Sequence, residues 1–252
     1  MPIIFITGAT SGFGQAIAYL FAQRGYDLII NGRRTERLRT IENDITANCG
    51  VRVLSLPFDV RNRDDVENSI RSLPESFKAI DVLVNNAGLA SGLSTIQEGN
   101  VDDWETMIDT NVKGLLYVSR AVMPLMIERK AGHIINIGSI AGKETYAKGN
   151  IYCATKHAVD SLSKAMRIDL LPFGIKVTNI APGAAETEFS VVRFHGDTER
   201  ARQVYQGYEP LRAIDIADIV YFAVTRPAHV VLNDITVTPL AQANTTYMIK
   251  KN

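Results

Sequence analysis

Tyr152 and Lys156, in the run Tyr152-Cys153-Ala154-Thr155-Lys156, stand at the i, i+4 spacing that puts two side chains on one helix face. A free phenol, with a pKa of about 10, is a poor proton-transfer group at neutral pH. A cation within ~4–6 Å favours the phenolate, and Lys156 can supply one. Bringing the phenol near a working pH asks for about 4 kcal/mol of differential stabilisation. A single ammonium in a partly dry site can give much of that. Ser139 follows the apolar run His133-Ile134-Ile135-Asn136-Ile137, which reads as a strand. A hydroxyl at that strand end can converge with the Tyr/Lys pair on one substrate oxygen. By itself the pair is a weak signal: a tyrosine and a lysine at this spacing are more often a half-buried ring and a solvated charge.

A second group of residues suits phosphate binding. Thr7-Gly8-Ala9-Thr10-Ser11-Gly12-Phe13-Gly14 lies between a buried-strand pattern, Ile3 to Ile6, and an amphipathic helix expected from Gln15 to Arg24. In that context the glycines permit a tight turn, and the helix N-terminus offers free N–H groups to a pyrophosphate. A strand over Asp27 to Asn31 then ends in Gly32-Arg33-Arg34. Where an acid would accept from a ribose 2′-OH, this chain carries glycine and two arginines, whose fixed donors suit a 2′-phosphate. The spacing therefore favours NADP over NAD.

Asp59, just past a strand expected at Val51 to Ser55, can accept from an adenine amino group, and Val60 supplies an apolar contact. Asp64 is the expected N-cap of the next helix, Asp64 to Leu73. Asn85-Asn86-Ala87-Gly88 closes a strand over Ile80 to Val84, where amides and small residues can pin the sheet and admit a flat ring. One asparagine tying adjacent strands together is the structural alternative, and the two roles are compatible. Asn111 falls inside a helical pattern opening at Asp102, where an amide more often bonds to a neighbouring turn than acts in chemistry. Pro124 predicts a kink or a new start in the continuation.

The chain has 252 residues, 46% apolar and 21% charged, with Lys+Arg equal to Asp+Glu. That balance argues against a nucleic-acid binder. Cys49 and Cys153 form neither a disulfide framework nor a zinc-spacing set. No signal-peptide pattern or membrane-length apolar run is evident, so no membrane association is expected.

Further strands are expected at Ile175 to Ile180 and Asp234 to Thr238, and helices at about 150–171 and 214–224. Strands alternating with helices predict an α/β Rossmann fold, one domain over 1–252, with a doubly wound seven-stranded parallel sheet and helices on both faces. Pro182-Gly183-Ala184-Ala185-Glu186-Thr187 is another small-residue turn at a strand end. The irregular stretch that follows, about 188–211, is the expected substrate lid, where Arg193 can pair with a substrate carboxylate or be a solvated surface arginine. His195 has no companion at metal-ligand spacing, and no metal site is expected.

In order and interval, Thr-Gly-x-x-x-Gly-x-Gly at 7–14, Asn-Asn-Ala-Gly at 85–88, Asn111, Ser139, Tyr-x-x-x-Lys at 152–156 and Pro-Gly-x-x-x-Thr at 182–187 resemble the short-chain dehydrogenase/reductase family over essentially the whole chain. The resemblance implies a catalytic set of Asn111, Ser139, Tyr152 and Lys156, and so moves Asn111 from a structural to a functional reading. It implies NADP held by Gly8, Thr10, Ser11, Gly12, Phe13, Gly14, Arg33, Arg34, Asp59, Val60, Asn86, Ala87, Gly88, Tyr152, Lys156, Pro182, Gly183, Ala184, Ala185 and Thr187. Substrate would meet Ser139, Tyr152 and Arg193.

The stretches 103–111, 132–139 and 187–197 further resemble the NADP-dependent 3-hydroxy acid dehydrogenase branch, which includes serine and L-allo-threonine 3-dehydrogenases. That implies a small hydroxy-acid substrate and a cytoplasmic homotetramer. Ser11 stands where some NADP-using relatives carry a basic residue, leaving Arg33 and Arg34 to read the 2′-phosphate. A reductase of 3-oxoacyl thioesters, sugars or small ketones shares the same core chemistry. A non-catalytic dinucleotide-binding regulator would be expected to have lost Ser139, Tyr152 or Lys156, and all three are present.

Overall fold

The computed structural model describes residues 1–251, and a single parallel sheet organises them. The strands are β1 (Ile3–Ile6), β2 (Asp27–Asn31), β3 (Val53–Leu56), β4 (Ile80–Asn85), β5 (His133–Ile137), β6 (Lys176–Pro182) and β7 (Asp234–Val237), in the order β3-β2-β1-β4-β5-β6-β7. Neighbours pair in parallel throughout, with Phe5 opposite Ile29 and Leu83, and Asn136 opposite Asn179. The central strands are buried on both faces, which is why they read as unbroken apolar runs. Alternation then splits the core in two. Ile4 and Ile6 pack with Ile17, Phe21, Leu38, Val220 and their neighbours from α1 (Gly12–Gln23), α2 (Thr35–Cys49) and α9 (Ala213–Val224). Ile3 and Phe5 pack with Val66, Val118 and Val159 from α3 (Arg63–Arg71), α5 (Leu115–Arg129) and α6 (Asn150–Leu170).

Strand order reverses between β1 and β4, so loops leaving those two strands diverge to opposite faces and open a crevice at their C-terminal ends. Four buried polar side chains bind the layers beside it. Asn85 donates to Ser119 (2.9 Å) on α5 and to Asn136 (2.9 Å) on β5, and Asn136 donates to Ser163 (2.9 Å) on α6. Asn85 is thus the strand-tying amide, and the network fixes the height of α6 over the sheet.

Three local expectations are corrected. Asn62, not Asp64, caps α3: its carboxamide oxygen accepts from the backbone N–H of Asp64 and Asp65. Both aspartates instead sit in the first turn, where the dipole favours them. Pro124 neither ends nor restarts its helix. It lies on an exposed face of α5, where water can take up the carbonyl that the proline leaves without an intrahelical donor. The break falls earlier, at a π-helical turn over Asp109–Gly114 that follows α4 (Val101–Ile108) and contains Asn111. The helix expected from Gln15 begins at Gly12, inside the glycine loop.

His133 on β5 is buried, with Nε2 against the Thr178 hydroxyl (2.8 Å) and Nδ1 without a partner. Burial, helped by the Lys176 charge, pushes its pKa down to about 4. Because the folded value lies below the unfolded one, the unfolded chain binds the extra proton first as pH falls. Stability present above about pH 6.5 should therefore be lost towards pH 4, by about 3 kcal/mol. Urea unfolding midpoints across that window should flatten in His133→Leu; an unchanged slope would show that another group is responsible.

Candidate active site

The crevice is a cavity of about 680 Å³, lined at one end by Gly8 to Phe13, Arg33, Arg34, Asp59 and Val60. The other end is lined by Ser139, Tyr146, Tyr152, Lys156, Phe189 and Arg193. Its wall also carries Asn86, Ala87, Gly88, Pro182 to Ala185 and Thr187, so most of the residues singled out as binding sites face one space.

The glycine loop is shaped by close approach. Gly8 has φ +65°, and a Cβ on Gly14 would stand 2.3 Å from the Gly8 carbonyl oxygen and 2.5 Å from Asn86 Nδ2. Asn86 donates to the carbonyls of Thr7 (2.9 Å) and Gly8 (3.1 Å), while the Thr7 hydroxyl accepts from the backbone N–H of Asn86 and Ala87. Strands β1 and β4 are thereby locked at the switch point. Ser11 precedes α1 in an extended conformation and makes no side-chain cap, which leaves the first-turn N–H groups facing the cavity for an anion.

Arg34 is held in a formed pocket. Nε and Nη2 donate to the Thr10 hydroxyl (3.1 and 2.8 Å), Nη2 also to the Ser11 hydroxyl (2.8 Å), and Nη1 to Glu188 (2.9 Å). Arg33 is exposed, and its nearest carboxylate is Asp59 at 3.7 Å. Asp59 does not offer a free carboxylate to adenine. Arg61 engages both oxygens, and although burial alone would raise the Asp59 pKa, those bonds hold it below the usual carboxylate range. Two hydroxyls and adjacent guanidinium groups beside a glycine-rich helix start fit a phosphorylated dinucleotide.

At the other end, α6 carries Tyr152 and Lys156 on one face, and Ser139 stands in the turn after β5. Ser139 Oγ accepts from the Ala141 N–H (3.1 Å) and donates to the Pro182 carbonyl (3.4 Å). Lys156 Nζ lies 5.9 Å from the Tyr152 ring centroid and donates to the Ile137 carbonyl (2.9 Å). Burial pushes the Tyr152 phenol up to about 12, opposed chiefly by the Arg193 guanidinium and by a hydrogen bond with Ser139. Burial likewise pushes the Lys156 ammonium down to about 8. The cavity holds a neutral phenol beside an amine that can gain or lose a proton at ordinary pH.

Asn111 makes its three hydrogen bonds elsewhere. Its Oδ1 accepts from Leu89 N–H (2.8 Å), and Nδ2 donates to Leu89 O (2.8 Å) and Thr155 Oγ1 (3.0 Å). The side chain ties the 86–89 turn to α6, the structural role first read from its type, and it bonds to neither Tyr152 nor Lys156. Cys153 is wholly buried behind Tyr152, with burial raising its thiol pKa.

The irregular stretch contains α7 (Phe189–Arg193) and α8 (Thr198–Gln203), and its ends are closed by Glu186 N–H to Leu211 O (2.8 Å) and Leu211 N–H to Ala184 O (3.0 Å). Arg193 points inward. Its guanidinium lies 4.9 Å from the Tyr152 ring centroid, Nη2 donates to the Tyr146 hydroxyl (2.7 Å), and Nε is buried without a partner. His195 reaches Asp103 (3.4 Å), and among the described residues no metal-holding cluster occurs. Tyr146 and the 242–250 tail were not visible from motifs. Gln242 is buried and accepts from the Ala184 N–H (2.8 Å), yet it sits beyond any motif and in no strand or helix.

A family model for short chain dehydrogenase matches residues 2–197. The chain belongs to the short chain dehydrogenase family. It is 48% identical over 242 residues to the NADP-dependent 3-hydroxy acid dehydrogenase of Salmonella typhi, covering 96% of each chain. It is 43% identical to sulfoacetaldehyde reductase 2 of Chromohalobacter salexigens, covering 99% of each. Among solved structures it resembles the closed form of serine dehydrogenase complexed with NADP+, at 45% identity and a TM-score of 0.92, covering 99% of this chain and 100% of that one. The seven-stranded parallel fold is therefore the family's, and the chain is an oxidoreductase.

The glycine loop makes a direct prediction. Gly14→Ala should drive a methyl group into the Gly8 backbone, costing about 1–3 kcal/mol, or roughly 2–4 °C in Tm per kcal/mol. NADPH binding followed by fluorescence should be lost. Undiminished binding in the variant would mean that the loop is not the cofactor cradle.

Proposed function

We propose that this chain transfers hydride between NADP and C3 of small 3-hydroxy acids, working as one domain with a lid over 188–211. The carrying observation is Arg193. An unpaired buried guanidinium edge beside the Tyr152 ring suits a substrate whose anionic group lies a short chain away from its reacting hydroxyl. The 3-hydroxy acid and serine dehydrogenases among the relatives support the same reading.

The cofactor, when bound, gives or accepts the hydride. The chain's own residues bind and manage the proton. Arg34, Thr10 and Ser11, with Arg33, hold the 2′-phosphate, and the α1 N-terminus faces the pyrophosphate. Tyr152 gives its proton to the substrate oxygen in reduction; in oxidation the phenol must first lose that proton, and the phenolate then takes the one on the substrate oxygen. A phenol pushed up to about 12 already carries that proton in the resting protein. Ser139, turning its O–H from the Pro182 carbonyl, donates to the same oxygen and stabilises charge where it develops. Lys156, pinned to Ile137 O and pushed down to about 8, can pass a proton onward. Asn111 fixes the 86–89 turn beneath them.

The anion taken by Arg193 can be a carboxylate or a sulfonate, and the sulfoacetaldehyde reductase relative gives the second weight. A cytoplasmic homotetramer completes the reading. Exposed Ile108, Leu116, Ile168 and Leu171 on α4 to α6 and the turn after it support a subunit contact. Among the described residues no helix is long and apolar enough to cross a membrane.

Following NADP reduction at 340 nm with serine, allo-threonine, 3-hydroxybutyrate, 3-hydroxyisobutyrate and a hydroxysulfonate tests the substrate class. Arg193→Met should lower kcat/KM for the preferred acid about 10–100-fold, with neutral ketones much less affected. Equal loss on both would mean that Arg193 acts through Tyr152 and does not bind the substrate anion.

A further inference from the structure

Glu188 joins the two ends of the cavity. It is the residue immediately before α7, and its carboxylate accepts from Arg34 Nη1 (2.9 Å) and Arg37 Nη1 (2.7 Å). Those bonds outweigh the cost of burial and hold its carboxyl below the usual carboxylate range. The next residue, Phe189, packs edge-on against Tyr152 with centroids 5.5 Å apart. At the far end of the same helix, Arg193 stands over the Tyr152 ring. A single short helix thus begins at the arginines beside the glycine loop and ends on the tyrosine.

Beside Glu188, the Phe189 N–H donates to the Thr187 hydroxyl (3.2 Å) on the cavity wall, and the remaining ties of α7 lie away from the cofactor end. Arg193 O accepts from Gly92 N–H (3.0 Å), Ser190 meets Tyr205 (2.6 Å), and His195 meets Asp103. Among the described residues, Glu188 is the acidic partner that Arg34 and Arg37 share. Arg34 Nε and Nη2 are committed to Thr10 and Ser11, so an arriving anion on this pocket meets Glu188 at Nη1. A phosphate monoester carries more charge than a carboxylate and matches the guanidinium fork better. Two anions on one fork also repel each other.

We propose that Glu188 is a latch between cofactor and lid: its carboxylate occupies Arg34 and Arg37 in place of the 2′-phosphate, and the phosphate displaces it and frees the first turn of α7. This rests on the NADP reading above. Arg37, which no motif marks, becomes a further ligand of the 2′-phosphate once released. NADH, lacking that phosphate, leaves the latch closed. Discrimination between the cofactors is then expressed twice, in binding and in the freedom of the lid over Tyr152.

The test uses the full chain and its Glu188→Gln variant, which removes the charge at an exposed position. NADPH and NADH dissociation constants are read by fluorescence, and hydrogen exchange of the 187–193 amides is read with each cofactor saturating. In the unaltered chain, those amides should exchange faster with NADPH than with NADH. Glu188→Gln should tighten NADPH about five- to tenfold, leave NADH within about twofold, and abolish the exchange difference. Glu188→Asp, which keeps the charge, should retain the difference. Weaker NADPH binding in Glu188→Gln, an equal change for both cofactors, or a persisting exchange difference would overturn the latch. If the unaltered chain does not prefer NADPH, the cofactor reading itself fails, which is a separate outcome.

Discussion

Tyr152 and Lys156 are ionisable groups taken out of water at one end of a parallel sheet, and the rest of the site follows from that desolvation. Burial disfavours the charged form of each, so the phenol rises and the ammonium falls. A site built this way keeps its proton until something in the cavity changes the balance. Keeping such groups in place needs rigid support. The Ser119–Asn85–Asn136–Ser163 network supplies it by fixing α5 and α6 to the sheet with buried hydrogen bonds.

The two ends of the cavity differ in kind. The Arg34 end is exposed and built on charge-assisted bonds. The Tyr152 end is half-buried and carries a lone guanidinium, and the Arg193 charge there opposes the rise of the phenol pKa. The short helix α7 contacts both ends.

Much of this was legible in the sequence because the physics was local. Strands β1, β2 and β5 have the expected bounds, since runs buried on both faces leave a continuous apolar signal. The glycine loop was legible for the same reason, as Gly8 and Gly14 are required by backbone approach that no other residue allows. What escaped depended on distant partners. The π-helical turn comes from packing around Asn111, not from a breaker residue, and Pro124, the visible breaker, is harmless on its exposed face. The spacing of Tyr152 and Lys156 was read correctly, but not the direction of Lys156, because Ile137 O, its acceptor, lies on another strand. Tyr146 and Gln242 reach the cavity only through tertiary folding, with no periodicity or motif to mark them.

The central claim is that burial keeps Tyr152 protonated in the ligand-free site. It is tested most directly by titrating the tyrosine ring carbons by NMR in the ligand-free protein, with Tyr152→Phe assigning the resonance. The account predicts no deprotonation of Tyr152 until the pH approaches about 12. A ligand-free midpoint near neutral pH would contradict it.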